Sequence, residues 1–130
     1  MLSAVDIKHG VPFRASARTN LNNPVVFDFY EFGKTTPLTI GPNDTVVVSF
    51  VSAEPNAAAY QATVFEGPNN TLDFAETIAS VAGGTTLGTY FNLGDVPHFC
   101  QRGAIPKIVG SQSGTPSGAR IGIRGVILRG

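Results

Sequence analysis

Fifteen glycines and nine prolines are spread so evenly along this chain that few windows can sustain three helical turns. Proline removes a backbone donor and glycine carries a large ordering entropy, so a helix interrupted this often does not hold. The pieces between them are short and rich in Val, Ile, Phe, Thr and Tyr, residues that suit a pleated, half-buried surface. The spacing therefore predicts an all-β chain.

Residues 120–130 read as one long strand, and Pro24 to Phe32 as the clearest strand of all. The former places Ile121 and Ile123 on one face and Arg120 and Arg124 on the other, the two-residue period of a half-buried strand. Gly125 then breaks the pattern, and a β-bulge with a change of face or a bend is expected there. Earlier, Pro24 to Phe32 alternates Val25, Phe27 and Phe29 with Val26, Asp28 and Tyr30, so both faces should meet something. Residues 37–40, a turn at Gly41 to Asp44 and the doubly apolar run 45–51 read as a hairpin. In 57–66, Tyr60, Ala62, Val64 and Glu66 alternate with Gln61, Thr63 and Phe65, and a second turn is expected at 67–70. A strand is favoured over a helical turn for 72–79, and 86–93 supplies another.

Residues 94–102 read as a long loop carrying His98 and Cys100. Pro106 cannot donate to a ladder, which makes 105–109 a candidate edge strand. The stretch 111–118 is a Ser/Gly/Pro-rich connection, and 1–18 is expected to be an extended arm or marginal edge strands. About eight or nine strands at intervals of about eight to twelve residues indicate an antiparallel β-sandwich. Unequal connections favour a jelly roll, with 19–130 as a single sandwich domain.

A chain of 130 residues is one domain by length. Only 14% of its residues are charged, against about 25% in an average protein. Nine basic residues balance nine acidic ones. Such a surface is poorly protected against association, which points to protein partners and self-association. The basic residues are scattered apart from Arg120, Arg124 and Arg129, so no patch for duplex nucleic acid is expected. No window approaches the ~20 apolar residues of a membrane span. Residues 1–9 carry Asp6 and no apolar core, unlike a signal peptide, so a protein made in the cytoplasm is expected. The lone Cys100 has no internal disulfide partner.

Chemistry-bearing residues are sparse. His9 and His98 are far apart and form no His-x-His pair of the cupin kind. His98 and Cys100 share a strand face at i, i+2, the spacing of a Cys/His dyad or half a metal site. A structural histidine beside an inert thiol is the preferred reading. Neither Asp28 with Glu31 nor Asp73 with Glu76 places two carboxylates on one strand face. Gly83-Gly84 lacks the lysine and helix of a phosphate loop. No catalytic residue, metal or cofactor is expected, and the chain does not read as an enzyme. Without tryptophan, a sugar-stacking platform would fall to Tyr30, Tyr60 and Tyr90.

In its strand layout, its stretch 1–18 and its terminal strand reaching Gly130, the chain resembles the decoration, or cement, proteins of tailed-phage capsids. The resemblance covers the whole chain in outline and carries no motif from which family residues could be transferred. It implies a structural virion protein on the capsid surface that oligomerises, as a trimer by preference, and bridges major capsid subunits. Under it, Val5, Ile7, Val11 and Phe13 are expected as partner anchors, joined by Arg120 and Arg124. The alternative expectation is a carbohydrate- or receptor-binding module, such as a fibre tip, that uses Tyr30, Tyr60 and Tyr90.

Overall fold

The computed structural model describes residues 10–19, 24–55, 59–66, 76–84, 86, 88–112 and 119–130. The expected turn at 67–70, residues 71–75, most of the 111–118 connection and the anchors Val5 and Ile7 lie outside them. Ten strands, and no helix, are formed among the described residues: β1 Val11–Arg18, β2 Val25–Val26, β3 Asp28–Glu31, β4 Thr45–Ala53, β5 Tyr60–Glu66, β6 Glu76–Gly83, β7 Thr89–Asn92, β8 His98–Phe99, β9 Pro106–Gln112 and β10 Arg120–Leu128. They make two antiparallel sheets packed as a sandwich. One runs β3-β1-β10-β4-β7, with β8 also on β4; the other runs β2-β9-β5-β6.

The terminal strand lies at the centre of the larger sheet, between β1 and β4. Ile121, Ile123 and Ile127 are fully buried, while Arg120 and Arg124 are exposed. The expected bulge occurs, and the register between β10 and β4 shifts between Arg124 and Gly125. The extra residue is on β4, however. Arg124 pairs with Phe50 and Gly125 with Val48, which skips Ser49. Inward residues of β4 therefore change from Val46 and Val48 to Val51 and Ala53, and this explains its apolar pattern on both faces. Any Cβ at position 125 would stand 1.8 Å from the Val47 carbonyl oxygen. Only glycine permits that approach.

Four expectations are corrected. Pro24 to Phe32 is not one strand: it crosses between sheets at Phe27, with β2 on β9 and β3 on β1. Phe27, 3% exposed, plugs the core at the crossing, which is why both faces of the segment looked apolar. Residues 37–40 form no hairpin with β4. They turn back on β3 through a Tyr30–Pro37 bridge and the Leu38 N–H to the Phe29 carbonyl, 2.9 Å. Strand β9 is interior, between β2 and β5; Pro106 is tolerated as its first residue. Finally, Val11–Arg18 is no arm. It pairs with β10 along its whole length and with β3 from Phe13 to Ser16, and Phe13 packs on Phe29 with centroids 4.9 Å apart.

The core is built from Phe13, Phe29, Val64, Ile108, Ile121 and Ile123, with smaller residues between the sheets. Each such side chain contributes about 1.5–3 kcal/mol on burial. The turn at 41–44 forms as expected and also fixes the end of β10. Asp44 accepts the Gly41 N–H and an Arg129 Nη1–H, both at 2.7 Å, and the Gly130 N–H at 3.3 Å. The Gly41 N–H first, and Arg129 next, hold the Asp44 carboxyl below its ordinary value against the opposing effect of burial.

Two outcomes follow from these packing relations. Gly125→Ala forces the Val47 carbonyl aside and should lower stability by about 1–3 kcal/mol, read from chemical denaturation. An unchanged midpoint would show that the β10–β4 approach is loose. A depressed carboxyl contributes stability above about pH 4 that disappears as pH falls through the folded value. Asp44→Asn should therefore lower Tm at neutral pH, with the gap from the parent protein closing in acid.

Candidate functional site

Alternation along β1, β3, β4 and β10 sends every second side chain to the outside of the larger sheet. Register then fixes which of them stand side by side. One row across the sheet reads Tyr30, Arg14, Arg124, Phe50, Asn92, and the next reads Asp28, Ser16, Gly122, Ser52, Tyr90. Beyond these, Arg18 stands opposite Arg120. Four arginines thus occupy two directly opposed pairs on neighbouring strands, Arg14 with Arg124 and Arg18 with Arg120.

Aromatic rings interleave with them. The Arg14 guanidinium lies 4.9 Å from the Tyr30 ring centroid, and its Nη2–H donates to the Lys34 carbonyl at 3.0 Å. Arg124 lies between Phe50 at 5.3 Å and Phe32 at 5.8 Å. Phe50 in turn stacks on Tyr90, with centroids 5.7 Å apart and planes 21° from parallel. Each cation–π contact at such a surface is worth about 0.5–1 kcal/mol. Phe32 and Tyr90 remain 51% and 70% exposed. These contacts hold the Arg14 and Arg124 guanidinium groups against the rings.

A second cluster lies inside the sandwich. His98 pairs with Val48, and the Cys100 N–H donates to the Val46 carbonyl at 2.9 Å, so both follow the inward residues of β4. Across the gap, β5 ends at Glu66. Its Oε1 lies 2.6 Å from His98 Nε2, and its Oε2 accepts the Gln101 N–H at 2.7 Å. The Glu66 and His98 side chains are only 4% and 16% exposed, and Cys100 is buried. One donor atom from each of the three residues lies within 4.8 Å of the others. Lys107, on the strand beside β5, is buried too, which pushes its amine below the ordinary value.

The structure sorts the expected site residues. Arg120 and Arg124 are on the outer face; Val11 is half-buried against the core. Phe13 is fully buried and is corrected as an anchor: its ring fills the space above Gly125. Tyr90 is exposed and Tyr30 half-buried beside Arg14. Tyr60 is corrected as a sugar platform, since it is buried, its hydroxyl donates to the Glu54 carbonyl, and burial raises its pKa.

Sequence reasoning missed Arg14 and Arg18 as neighbours of the terminal arginines, because only the β1–β10 register brings them together. It also missed Glu66 as the third member of the His98–Cys100 cluster. The signal was present: Glu66 falls in phase with Tyr60, Ala62 and Val64, an acid on a core-facing row. No protein-family model, curated protein or solved structure matches this chain. The geometry alone bears on function.

Proposed function

We propose that this protein is a structural contact protein, of the kind that decorates a virus capsid, and that it docks through the outer face of its larger sheet. The observation that carries the reading is the pairing of Arg14 with Arg124, each guanidinium laid against aromatic rings. Like charges directly opposite each other destabilise a sheet, so the arrangement is a cost to folding that an acidic partner relieves. Arginine and aromatic residues are also the types enriched at the centres of protein interfaces. With β3 and β8 set aside, the order β1-β10-β4-β7 against β2-β9-β5-β6 fits a jelly roll, an architecture found in viral capsid and lectin domains. That is support by analogy.

Two copies facing each other through this surface would bring arginine against arginine. Self-association therefore belongs elsewhere, and the β7–β8 edge suits it: Val96 is 80% exposed, with Phe91 and Phe99 also open. A head-to-tail contact at that edge gives a ring where its rotation closes, and three copies is the number that the likeness to capsid decoration proteins implies. The arginine face is then left for an acidic capsid surface, where it bridges adjacent subunits.

Tyr90, stacked on Phe50 and open to solvent, favours the second reading, a carbohydrate-binding module. Of the three tyrosines, Tyr90 carries it.

Light scattering on the full chain should give a multiple of 13.6 kDa, and Val96→Asp with Phe99→Asp should reduce it to a monomer. A parent protein that is already monomeric at micromolar concentration overturns self-assembly. Arg14→Glu with Arg124→Glu should keep the oligomer but lose co-sedimentation with preformed capsids, as should added salt. An N-terminal truncation that tests the arm must stop before β1, because removing 11–13 strips pairing from β10 and β3. For the carbohydrate reading, a glycan array should show binding that Tyr90→Ala abolishes; an array with no binding removes it.

A further inference from the structure

We propose that Glu66, His98 and Cys100 form a transition-metal site between the two sheets, with zinc as the cation best suited to it. A carboxylate, an imidazole and a thiol are the oxygen, nitrogen and sulfur donors that zinc takes together, and hard cations such as calcium or magnesium do not use the last two. Their donor atoms already lie within 4.8 Å of one another. Tetrahedral zinc, with bonds of about 2.0–2.3 Å, holds its ligand atoms about 3.3–3.7 Å apart. The 2.6 Å contact between Glu66 Oε1 and His98 Nε2 must open by about 1 Å, and the thiol must close in by a similar amount. Rotation about the Glu66 and Cys100 side-chain bonds is the movement the site requires.

The surroundings fit the assignment. Gln101 N–H holds Glu66 Oε2, which leaves Oε1 directed at the imidazole where a cation would enter. An outer hydrogen bond of that kind orients a ligating carboxylate. His98 and Cys100 are anchored by pairing with β4, so two ligands come from the larger sheet and one from the smaller. A bound cation therefore joins the sheets, and its binding energy adds to the stability of the fold. Three protein ligands leave a fourth position for water, reached past the partly exposed His98. On binding, the thiol proton passes to solvent, and the neutral imidazole of His98 ligates through Nε2 with its ring proton on Nδ1.

The test uses the purified full chain stripped with a chelator, with zinc and cobalt(II) as probes. One zinc per chain should bind, and above Kd it should raise Tm progressively with the logarithm of the free zinc concentration. Cobalt should give the near-ultraviolet charge-transfer band of a thiolate ligand. Cys100 is the sole cysteine, so that band assigns the ligand without any mutation. Glu66→Gln and Cys100→Ala, with folding checked by circular dichroism, should each weaken zinc binding by about 100-fold or more, since loss of even an outer partner costs about 10–100-fold. A parent protein whose cobalt spectrum lacks the thiolate band, or variants that bind zinc as tightly as the parent, overturns the site. Should the variants fail to fold, the cobalt spectrum of the parent protein decides alone.

Discussion

Strand β10 is hydrogen-bonded along both edges, and the rest of the larger sheet is arranged around that fact. Its partners both come from the first half of the chain, β1 on one side and β4 on the other. The approach to β4 depends on the missing side chain at Gly125, and the approach to β1 on the Phe13 ring that lies over the same glycine. Once β10 is seated, the antiparallel register leaves no freedom in which residues face each other. Arg14 must meet Arg124, and Arg18 must meet Arg120. The charge pattern of the outer surface is thus a product of strand pairing, on a molecule whose net charge is zero.

The two candidate sites differ in how they are held. On the outer face, guanidinium groups rest on rings that are themselves exposed, so geometry there comes from many weak contacts. Inside, Glu66 is fixed by two short hydrogen bonds across the gap between sheets, to the His98 ring and to the Gln101 backbone. The first arrangement tolerates adjustment, because no single contact in it dominates. The second gives way only to a group that replaces the lost contact, because a buried carboxylate separated from its donors keeps the desolvation cost.

Much of the architecture was legible from residue order. The absence of helix among the described residues, the sandwich, the β10 alternation and the turn at Gly41 to Asp44 all follow from glycine and proline placement and two-residue periods. What failed was local reading applied to events set by distant partners. Pro24 to Phe32 looks like one strand because Phe27 belongs to the core, yet it is the point at which the chain changes sheets. Proline at 106 suggests an edge, but a strand's first residue needs no ladder donor, so β9 runs through the middle of its sheet. His98 and Cys100 were visible as a pair because they are two residues apart. Glu66 lies 32 residues from His98, and only the packing of one sheet on the other brings it there.

The free edge of β4 is covered by two short pieces, β7 of four residues and β8 of two, where one long strand could have lain. A long, straight border of unpaired amides invites an incoming peptide to extend the sheet, and a weakly charged surface offers little repulsion against fibre growth. Breaking the border with the Gly94–Pro97 turn leaves only brief templates. What protrudes at this flank is therefore side chains, Phe91, Val96 and Phe99, more than open amides.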